Sequence, residues 1–206
     1  MSEDLERTGE MWDKRYGEHP WSVVPDESLV ELVAPVTAGR ALDLGCGTGR
    51  NALWLAREGW RVTGVDASRV GLQMAADQAE REGLTLDLER RDLVSFETEP
   101  ESFDLVVISN IHLAPEQRSE FFARAARAVA PSGHLYITGH HVDAFGLAGP
   151  PDIERLFDEA MFAGGFDGFT TDVLERRETL SDSDHTDDVV LVFWATKHSK
   201  ESGLEK

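Results

Sequence analysis

Residues 40–56 read RALDLGCGTGRNALWLA, an apolar run followed by three glycines at alternate positions and then by a helical pattern. The glycines are Gly45, Gly47 and Gly49. Glycine permits positive φ angles and lets the backbone approach a ligand closely, because it has no Cβ. The free N–H groups at the start of the next helix favour a polar or anionic ligand. The segment therefore predicts a strand–turn–helix unit that holds a small ligand at its turn.

Apolar blocks alternate with helix-period segments, which predicts a doubly wound, Rossmann-like α/β fold. Five successive β/α steps indicate a seven-stranded, mainly parallel sheet in a three-layer α/β/α arrangement, and the closing strand–loop–strand unit indicates an antiparallel edge strand. Ligands of such sheets bind beyond the carboxyl ends of the strands. We expect strands over 40–45, 60–66, 84–92, 102–110, 134–141, 171–180 and 188–197, and helices over 51–59, 68–83 (between caps at Ser68 and Gly83), 115–133 and 151–166.

The charge balance limits the partners that this chain is expected to bind. With 20 basic and 39 acidic residues, its formal net charge is −19. A nucleic acid or an anionic membrane needs a positive footprint, so neither is an expected partner. The expected partner is a small-molecule substrate, and the sequence leaves the oligomeric state open.

The sequence predicts three parts, a short N-terminal lid, one main domain and a tail. We expect the lid over residues 1–25, the domain over 26–197 and a mobile tail over 198–206. Cys46 has no second cysteine to pair with, which fits a reducing compartment. The charged N-terminus lacks the apolar core of a signal peptide, and no apolar run has the length of a membrane span. These features predict a cytoplasmic protein.

The spacing of the glycines excludes two common phosphate-binding motifs. A dinucleotide fingerprint has its third glycine one position later, where this chain has Arg50. A P-loop would need a Lys-Ser/Thr pair after the glycines, and none follows. Asp43 precedes the first glycine inside the strand. Its carboxylate would repel a pyrophosphate but would suit a ligand that carries an ammonium or a sulfonium.

The segments LDLGCGTG and VTGVDAS together resemble the first two motifs of class I S-adenosylmethionine-dependent methyltransferases of the small-molecule type. The resemblance extends over roughly residues 12–197 through the motifs at the strand ends. More narrowly, MWDKRYGEHPWSVVPDESL resembles the N-terminal region of thiopurine and tellurite-resistance methyltransferases. The resemblance implies S-adenosylmethionine as cofactor and methyl transfer to sulfur, nitrogen or oxygen of a small molecule. The strong negative charge does not suit an anionic acceptor such as tellurite.

The resemblance implies roles at the methionine end of the cofactor for residues beside the glycine turn. Gly45, Cys46 and Gly47 would line the methionine portion through backbone contacts. Asp43 would orient the amino group, directly or through water. Asn110, just past the fourth strand, would contact the same end through its backbone carbonyl. We expect Cys46 to act as a small apolar residue and not as a nucleophile.

The resemblance also implies roles at the adenosine end of the cofactor. Asp66, which closes the second strand, would accept hydrogen bonds from the ribose hydroxyls, as an acid does in nicotinamide-binding proteins. Ala67 and Ser68 would flank the adenosine. Asp92 would accept a hydrogen bond from the adenine amino group, and the N–H of Leu93 would meet a ring nitrogen.

The N-terminal segment is expected to cover the site. Trp12 and Tyr16 lie one helical turn apart and so share a face. In the resembled subgroup such a segment folds as a lid, and aromatic faces favour a sulfonium cation. Arg15 is a candidate partner for the cofactor carboxylate. A lid that excludes water fits a small, apolar acceptor, and Phe145 and Leu147 would add to its apolar wall.

Three histidines follow strands on the expected site face and are candidate general bases. His112 follows the fourth strand, and His140 and His141 follow the fifth. Histidine titrates near neutrality and can take a proton from a thiol, a phenol or a heterocyclic N–H. Methyl transfer needs a base only when the acceptor must lose a proton, so this role stays open. His185, in the last loop, is a further candidate, and we expect no metal because no metal-ligand spacing is present.

Two alternatives of a different class remain. A non-catalytic or regulatory protein could keep the fold and the cofactor site, and it would differ only at the acceptor site. An NAD-dependent oxidoreductase would share the ribose-binding acid. Asp43, Arg50 and Asp92 disfavour this second alternative.

Overall fold

The computed structural model describes residues 3–18, 21–180 and 187–199, which contain five α-helices and seven strands. None of the helices in these ranges is long and apolar enough to cross a membrane. The helices are α1 (Glu3–Glu18), α2 (Glu27–Val33), α3 (Arg50–Arg57), α4 (Arg69–Glu82) and α5 (Pro115–Ala128). The strands are β1 (Arg40–Leu44), β2 (Arg61–Asp66), β3 (Leu86–Arg90), β4 (Phe103–Ser109), β5 (Val129–His140), β6 (Phe169–Leu180) and β7 (Asp187–Lys197).

All seven strands form one sheet in the order β3-β2-β1-β4-β5-β7-β6. The first five strands pair in parallel, whereas β7 runs antiparallel to both of its neighbours. The mainly parallel, doubly wound sheet with an antiparallel addition at one edge is therefore confirmed, and β7 lies inside the edge strand β6. The strand order reverses between β1 and β4. A crevice opens at such a reversal, beyond the carboxyl ends of the strands.

Side chains alternate between two hydrophobic cores, one on each face of the sheet. Leu42 and Ile108 pack with Phe121 of α5 in the first core. Val107 and Tyr136 pack in the second core, with side chains of α2, α3 and α4. This alternation is the pattern of strands that are buried on both faces, as a parallel sheet requires. The three-layer arrangement follows from it.

Local signals set the ends of α4 as the sequence predicts. The hydroxyl of Ser68 accepts a hydrogen bond from the backbone N–H of Gly71 at 2.9 Å, which caps the first turn. Gly83 ends the helix with a φ of +67°, a left-handed conformation that glycine adopts without strain. Capping by short-range contacts explains why this helix could be predicted closely.

The helix expected over residues 151–166 is wrong. Two short 3₁₀ turns, Ile153–Arg155 and Glu159–Met161, flank an extended segment there. The N–H of Phe157 donates to the carbonyl of His140 at 2.9 Å, and its carbonyl accepts from the N–H of Val142 at 2.9 Å. The Phe157 ring is fully buried in the core. Pairing with the end of β5 and burial of this ring outweigh the helical propensity of the segment.

The helix expected over residues 115–133 ends earlier, at Ala128. Strand β5 begins at Val129, which pairs with Phe103 of β4 before the register shifts. Val129 is completely buried. A β-branched side chain that is buried against the neighbouring strand favours the extended backbone over a last helical turn.

Candidate active site

The glycine turn lies at the carboxyl end of β1, with side chains of other elements directly against it. Gly45, Gly47 and Gly49 have φ angles of +79°, +53° and +87°. A Cβ on Gly45 would lie 2.2 Å from Cδ1 of Ile111, and one on Gly47 would lie 2.6 Å from the Tyr16 hydroxyl. The turn therefore requires glycine for its conformation and for the closeness of its neighbours.

Cys46 points into the protein beneath the turn. Its side chain is buried, and its N–H donates to the carbonyl of Val65 at 3.1 Å. Burial raises the pKa of the Cys46 thiol, and the carboxyls of Asp43 and Asp66 raise it further. The thiol therefore stays protonated, as expected for a small apolar packing residue.

Asp43 is a buried carboxyl with one unpartnered oxygen. Its exposed fraction is 2%, and Oδ2 has no hydrogen-bond partner. Burial raises the pKa of Asp43 to about 7, while the cation of Arg50 and the backbone N–H of Ala52 act in the opposite direction. A buried carboxyl oxygen without a donor is costly, unless a ligand supplies the donor.

Asn110 supplies a second unpartnered oxygen at the neighbouring strand end. It directly follows β4, has a φ of +58°, and donates its backbone N–H to Thr138 at 2.9 Å. Its side-chain Oδ1 is buried without a partner. Within the described part of the chain, only one other buried side-chain atom lacks a partner in this way, Nε of Arg124. The two residues belong to β1 and to the end of β4, the strands between which the order reverses, and each oxygen suits a ligand that supplies an N–H donor.

Asp66 ties together the loops that follow β1 and β2. Its two carboxylate oxygens accept from the N–H of Gly47 at 2.9 Å and from the N–H of Ser68 at 2.8 Å. Burial raises the pKa of Asp66, and these hydrogen bonds oppose the rise. Asp92, two residues after β3, accepts from the N–H of Val94 at 3.1 Å. The structure thus brings Asp66, Ala67, Ser68, Asp92 and Leu93 together at the carboxyl ends of β2 and β3, and their contacts with a cofactor stay predictions.

Helix α1 docks against this side of the site through polar contacts. Two Arg90 nitrogens donate to the carboxylate of Glu6 at 3.0 Å each. Asp13 accepts from the N–H of Val70 at 3.0 Å and from the Ser68 hydroxyl. A Cβ on Gly9 would lie 2.7 Å from the carbonyl oxygen of Ala67, so the helix is in close contact with the end of β2. Sequence reasoning missed Asp13, because nothing local distinguishes it from the other acids of α1.

An aromatic cluster places the end of α1 over the glycine turn. The rings of Trp12 and Tyr16 stack at 5.6 Å, and Trp21 contacts Tyr16 edge-on at 5.0 Å. Burial raises the pKa of Tyr16, so its hydroxyl stays neutral beside Gly47. Arg15 is exposed, and its guanidinium lies 4.9 Å from the centre of the Trp12 ring. The structure thus brings Tyr16 to the turn and pairs Arg15 with an aromatic face.

A polar network that the sequence did not reveal links α2 and α3 to the ends of β4 and β5. Arg50 donates to the Ser109 hydroxyl at 3.3 Å. Asp26, the N-cap of α2, accepts from the Tyr136 hydroxyl at 2.9 Å and from the Ser109 hydroxyl at 3.4 Å. The only signal for Arg50 was its place directly after the last glycine. The network fixes the crevice wall on the α2 side.

The three candidate histidines differ in what their ring nitrogens do. His112 hydrogen-bonds to the carbonyl of Arg155 through Nδ1 at 2.9 Å, and its Nε2 accepts from the N–H of His140 at 3.3 Å. Burial lowers the pKa of His112 to about 4, so its ring stays neutral. His141 is buried, accepts from the N–H of Asp143 at 3.1 Å, and hydrogen-bonds to Glu159 at 3.1 Å. Both rings are therefore engaged in holding the segment after β5.

His140 is the candidate with an available ring nitrogen. Its Nδ1 lies 3.0 Å from a carboxylate oxygen of Asp188, which is buried at the start of β7. The other oxygen of Asp188 accepts from the N–H of Val189 at 2.7 Å. Across the described ranges, no hydrogen bond from protein to Nε2 of His140 is present. Sequence reasoning missed Asp188, which lies 48 residues away in the chain.

The other residues predicted for the acceptor site lie in or near the loops that follow β5 and β6. Phe145 and Leu147 are 48% and 76% exposed in the loop after β5. His185 lies outside the described residues. No group of three or more metal-ligating side chains comes together in the part of the chain that the structure describes.

The part of the sequence that forms the glycine turn and the neighbouring strand ends is similar to known proteins. A family model described as a methyltransferase domain matches residues 41–133. A 2-heptyl-1-hydroxyquinolin-4(1H)-one methyltransferase from Mycobacteroides abscessus is 29% identical over 151 residues, which are 71% of this chain and 65% of that protein. The chain thus spans just under two thirds of the length of this curated relative, and about half or less of several others.

Solved structures share the whole fold. One comes from work on the conversion of a disulfide bond into a thioacetal group during echinomycin biosynthesis. It has a TM-score of 0.75 and 23% identity, covering 96% of this chain and 94% of the other. A SAM-dependent methyltransferase from Methanosarcina mazei has a TM-score of 0.70 and 20% identity, covering 86% of this chain and 100% of the other. At this identity the likeness concerns the fold.

Proposed function

We propose that the chain is a class I S-adenosylmethionine-dependent methyltransferase, which binds S-adenosylmethionine and methylates a small-molecule acceptor. The observation that carries the proposal is the pair of unpartnered, buried oxygens, Asp43 Oδ2 and Asn110 Oδ1. The ammonium of a methionine moiety has three N–H donors and one positive charge, which complement a carboxylate and an amide oxygen. When bound, the cofactor supplies a methyl group that is activated on a sulfonium sulfur.

Each side of the crevice has groups suited to one end of the cofactor. Asp43 and Asn110 bind the ammonium, and the glycine turn lets the backbone approach the methionine portion. Asp66 retains lone pairs for the ribose hydroxyls beyond its two internal hydrogen bonds. The rings of Trp12 and Tyr16 offer π faces near the glycine turn, where a sulfonium is attracted. Arg15 remains our candidate for the cofactor carboxylate and would have to leave Trp12 to reach it.

On the acceptor side, His140 is the base that the geometry favours. Asp188 holds Nδ1 of His140, which leaves Nε2 to take a proton from the acceptor. His112 and His141 are held by other hydrogen bonds and act in positioning the loop. Acceptors that are already nucleophilic need no such base. We therefore propose that the acceptor has an ionisable O–H, N–H or S–H.

The surroundings of the crevice favour an apolar acceptor. Val23 and Val24 precede α2 and are 74% and 63% exposed, and Phe145 and Leu147 follow β5. Both segments lie next to residues of the site, Asp26 on one side and His140 on the other. A relative is named for 2-heptyl-1-hydroxyquinolin-4(1H)-one, an apolar heterocycle with an ionisable hydroxyl. We propose an acceptor of this chemical class, in the cytoplasm, where a buried unpaired thiol such as Cys46 is compatible with the compartment.

Two measurements test this function. Calorimetry with S-adenosylhomocysteine and with NAD compares the two cofactor classes, and we expect binding of the first alone. Transfer of a radiolabelled methyl group is then measured over hydroxyquinolones, phenols, thiols and N-heterocycles. Binding of S-adenosylhomocysteine with no transfer to any acceptor would favour a regulatory protein. Binding of NAD alone would refute the proposal in favour of an oxidoreductase.

A further inference from the structure

A cavity of about 250 Å³ lies on the face of the sheet that α5 covers. Its floor is formed by Leu42 and Leu44 of β1 and by Phe121 and Ala125 of α5, all of them buried. The connection between β3 and β4, residues 91–102, contains turns and no helix, so it covers this part of the sheet incompletely. The cavity is therefore a consequence of a short crossover on this side of β1.

Arg124 lines this cavity and has a buried donor without a partner. Its side chain is 16% exposed, and one terminal nitrogen donates to the carbonyl of Val94. Another terminal nitrogen lies 3.4 Å from the carboxylate of Glu120, which is 60% exposed. Nε is buried and has no hydrogen-bond partner. A buried donor atom without a partner is rare in native proteins and calls for an acceptor.

We propose that this cavity is a second small-molecule site, which binds an amphipathic carboxylic acid. The carboxylate would accept from Nε of Arg124, and the apolar part would lie against Leu42, Leu44 and Phe121. Arg127 and Glu97 at the rim and Glu120 beside Arg124 bring the charges around the cavity close to balance. The preference for an anion therefore rests on the unpartnered Nε donor of Arg124. About 250 Å³ corresponds to roughly eight water molecules, so the ligand has about eight to ten non-hydrogen atoms.

The site is separate from the crevice and independent of the proposed function. None of the residues assigned to the cofactor or to the acceptor lines the cavity. Leu42 and Leu44 point to the α5 side of the sheet, whereas Asp43 lies between them and points to the other side. S-adenosylhomocysteine and the acid should therefore bind to the protein at the same time.

Octanoate and octanol are the matched probes, because they share an apolar chain and differ in charge. Calorimetry on the full chain, with S-adenosylhomocysteine present, is expected to show octanoate binding at least tenfold tighter than octanol. In ¹⁵N-labelled protein, octanoate should shift the Nε–H resonance of one arginine, which Arg124→Met removes. Arg124→Met should lower octanoate affinity by about tenfold or more and leave octanol binding unchanged. Arg127→Met, on the same helix and at the rim, is the control and should change octanoate affinity less than threefold.

Thr98→Trp tests the location of the site without changing Arg124. Thr98 is a half-buried lining residue, and a large ring there should block both probes while the protein stays folded. The proposal is overturned if octanoate and octanol bind equally, or if octanoate leaves the Arg124 resonance unmoved. It is also overturned if S-adenosylhomocysteine displaces octanoate, because the acid would then be in the crevice. A failure to bind S-adenosylhomocysteine at all would refute the proposed function and leave this site untouched.

Discussion

The carboxyl ends of β1 to β4 and the edge formed by β5 to β7, which we propose as the cofactor half and the acceptor half of one site, differ in construction. In the first half, Asp43, the glycine turn and Asp66 lie within about two dozen residues of chain, and the methyltransferase family model covers them. The family model ends at residue 133, before His140, Asp188 and the loop after β5. The family model therefore covers the glycine turn and the acids of the half proposed for the cofactor, and it ends before the half proposed for the acceptor.

The halves also differ in how their polar groups are satisfied. Asp43 and Asn110 have buried oxygens without partners, so the first half is completed by a ligand. On the other side, His112 and His141 are hydrogen-bonded through both ring nitrogens. Of these three histidines, His140 has one ring nitrogen beside Asp188 and one without a hydrogen bond to the described residues. If the proposed function holds, the cofactor half depends on unsatisfied buried oxygens, and the acceptor half depends on one positioned imidazole.

The largest expected effect is a loss of activity that comes from the acceptor half alone. His140→Ala should lower kcat for an acceptor that must lose a proton by about 10²–10⁴-fold, the usual contribution of a general base. The affinity for S-adenosylhomocysteine, measured by calorimetry, should not change. His198→Gln, at an exposed histidine, is the control. If kcat is unchanged in His140→Ala at every pH, the acceptor half has been assigned wrongly.

The next effect concerns the pH dependence of stability. The pKa of Asp43 is about 7 in the folded protein, against an ordinary value of 3.8. The neutral carboxyl therefore stabilises the fold fully below about pH 4, and this stability is lost as the pH rises through 7. Asp43→Asn removes this dependence. Relative to wild type, its free energy of unfolding should rise by up to about 4 kcal/mol between pH 4 and pH 8. Chemical denaturation at several pH values measures the difference.

The wild-type profile of unfolding free energy against pH must be subtracted, because His112 changes the stability in the opposite direction. Its pKa is about 4 when folded, so the stability it contributes is present above about pH 6.5 and is lost as the pH falls to 4. Both proteins contain His112, so its effect cancels in the difference. Parallel profiles for wild type and Asp43→Asn would contradict the buried, unsatisfied state of Asp43.

Asp43→Asn should also weaken the binding of S-adenosylhomocysteine to the cofactor half. Asp43→Asn keeps the shape of the side chain and removes the charge that pairs with an ammonium. The affinity for S-adenosylhomocysteine should fall by about 10- to 100-fold, the scale of a lost charged hydrogen bond. Asp87→Asn, an exposed acid on β3, is the control and should bind as wild type. If Asp43→Asn and Asp87→Asn bind S-adenosylhomocysteine with equal affinity, the main support for the cofactor assignment is lost.

The smallest effect tests whether α1 belongs to the cofactor half. A Cβ at Gly9 would lie 2.7 Å from the carbonyl of Ala67, so Gly9→Ala should push α1 away from the end of β2. We expect a loss of about 1 kcal/mol in stability and a severalfold weaker affinity for S-adenosylhomocysteine. Gly17→Ala, in the same helix and with nothing within 4 Å, should be neutral or slightly stabilising. Identical results for the two variants would show that α1 does not cover the site.

Where the signal is short-range, prediction from the sequence succeeded. The order of the β/α units, the caps Ser68 and Gly83 and the positive φ angles of the glycine turn follow from patterns within a few residues. The segment 151–166 has the composition of a helix and still forms two 3₁₀ turns. The backbone of Phe157 pairs there with β5, a contact between distant parts of the chain. The same limit hid Asp188 and Asp13, whose partners lie 48 and at least 55 residues away.

The sequence alone determined the doubly wound sheet and the place of the crevice, because hydrophobic period and glycine spacing act locally. It also determined which acids stand at the strand ends. Tertiary structure alone decided which of those groups are left without partners and which histidine is available. Hydrogen bonding and burial depend on what the fold packs beside a residue, and a linear pattern does not contain that information.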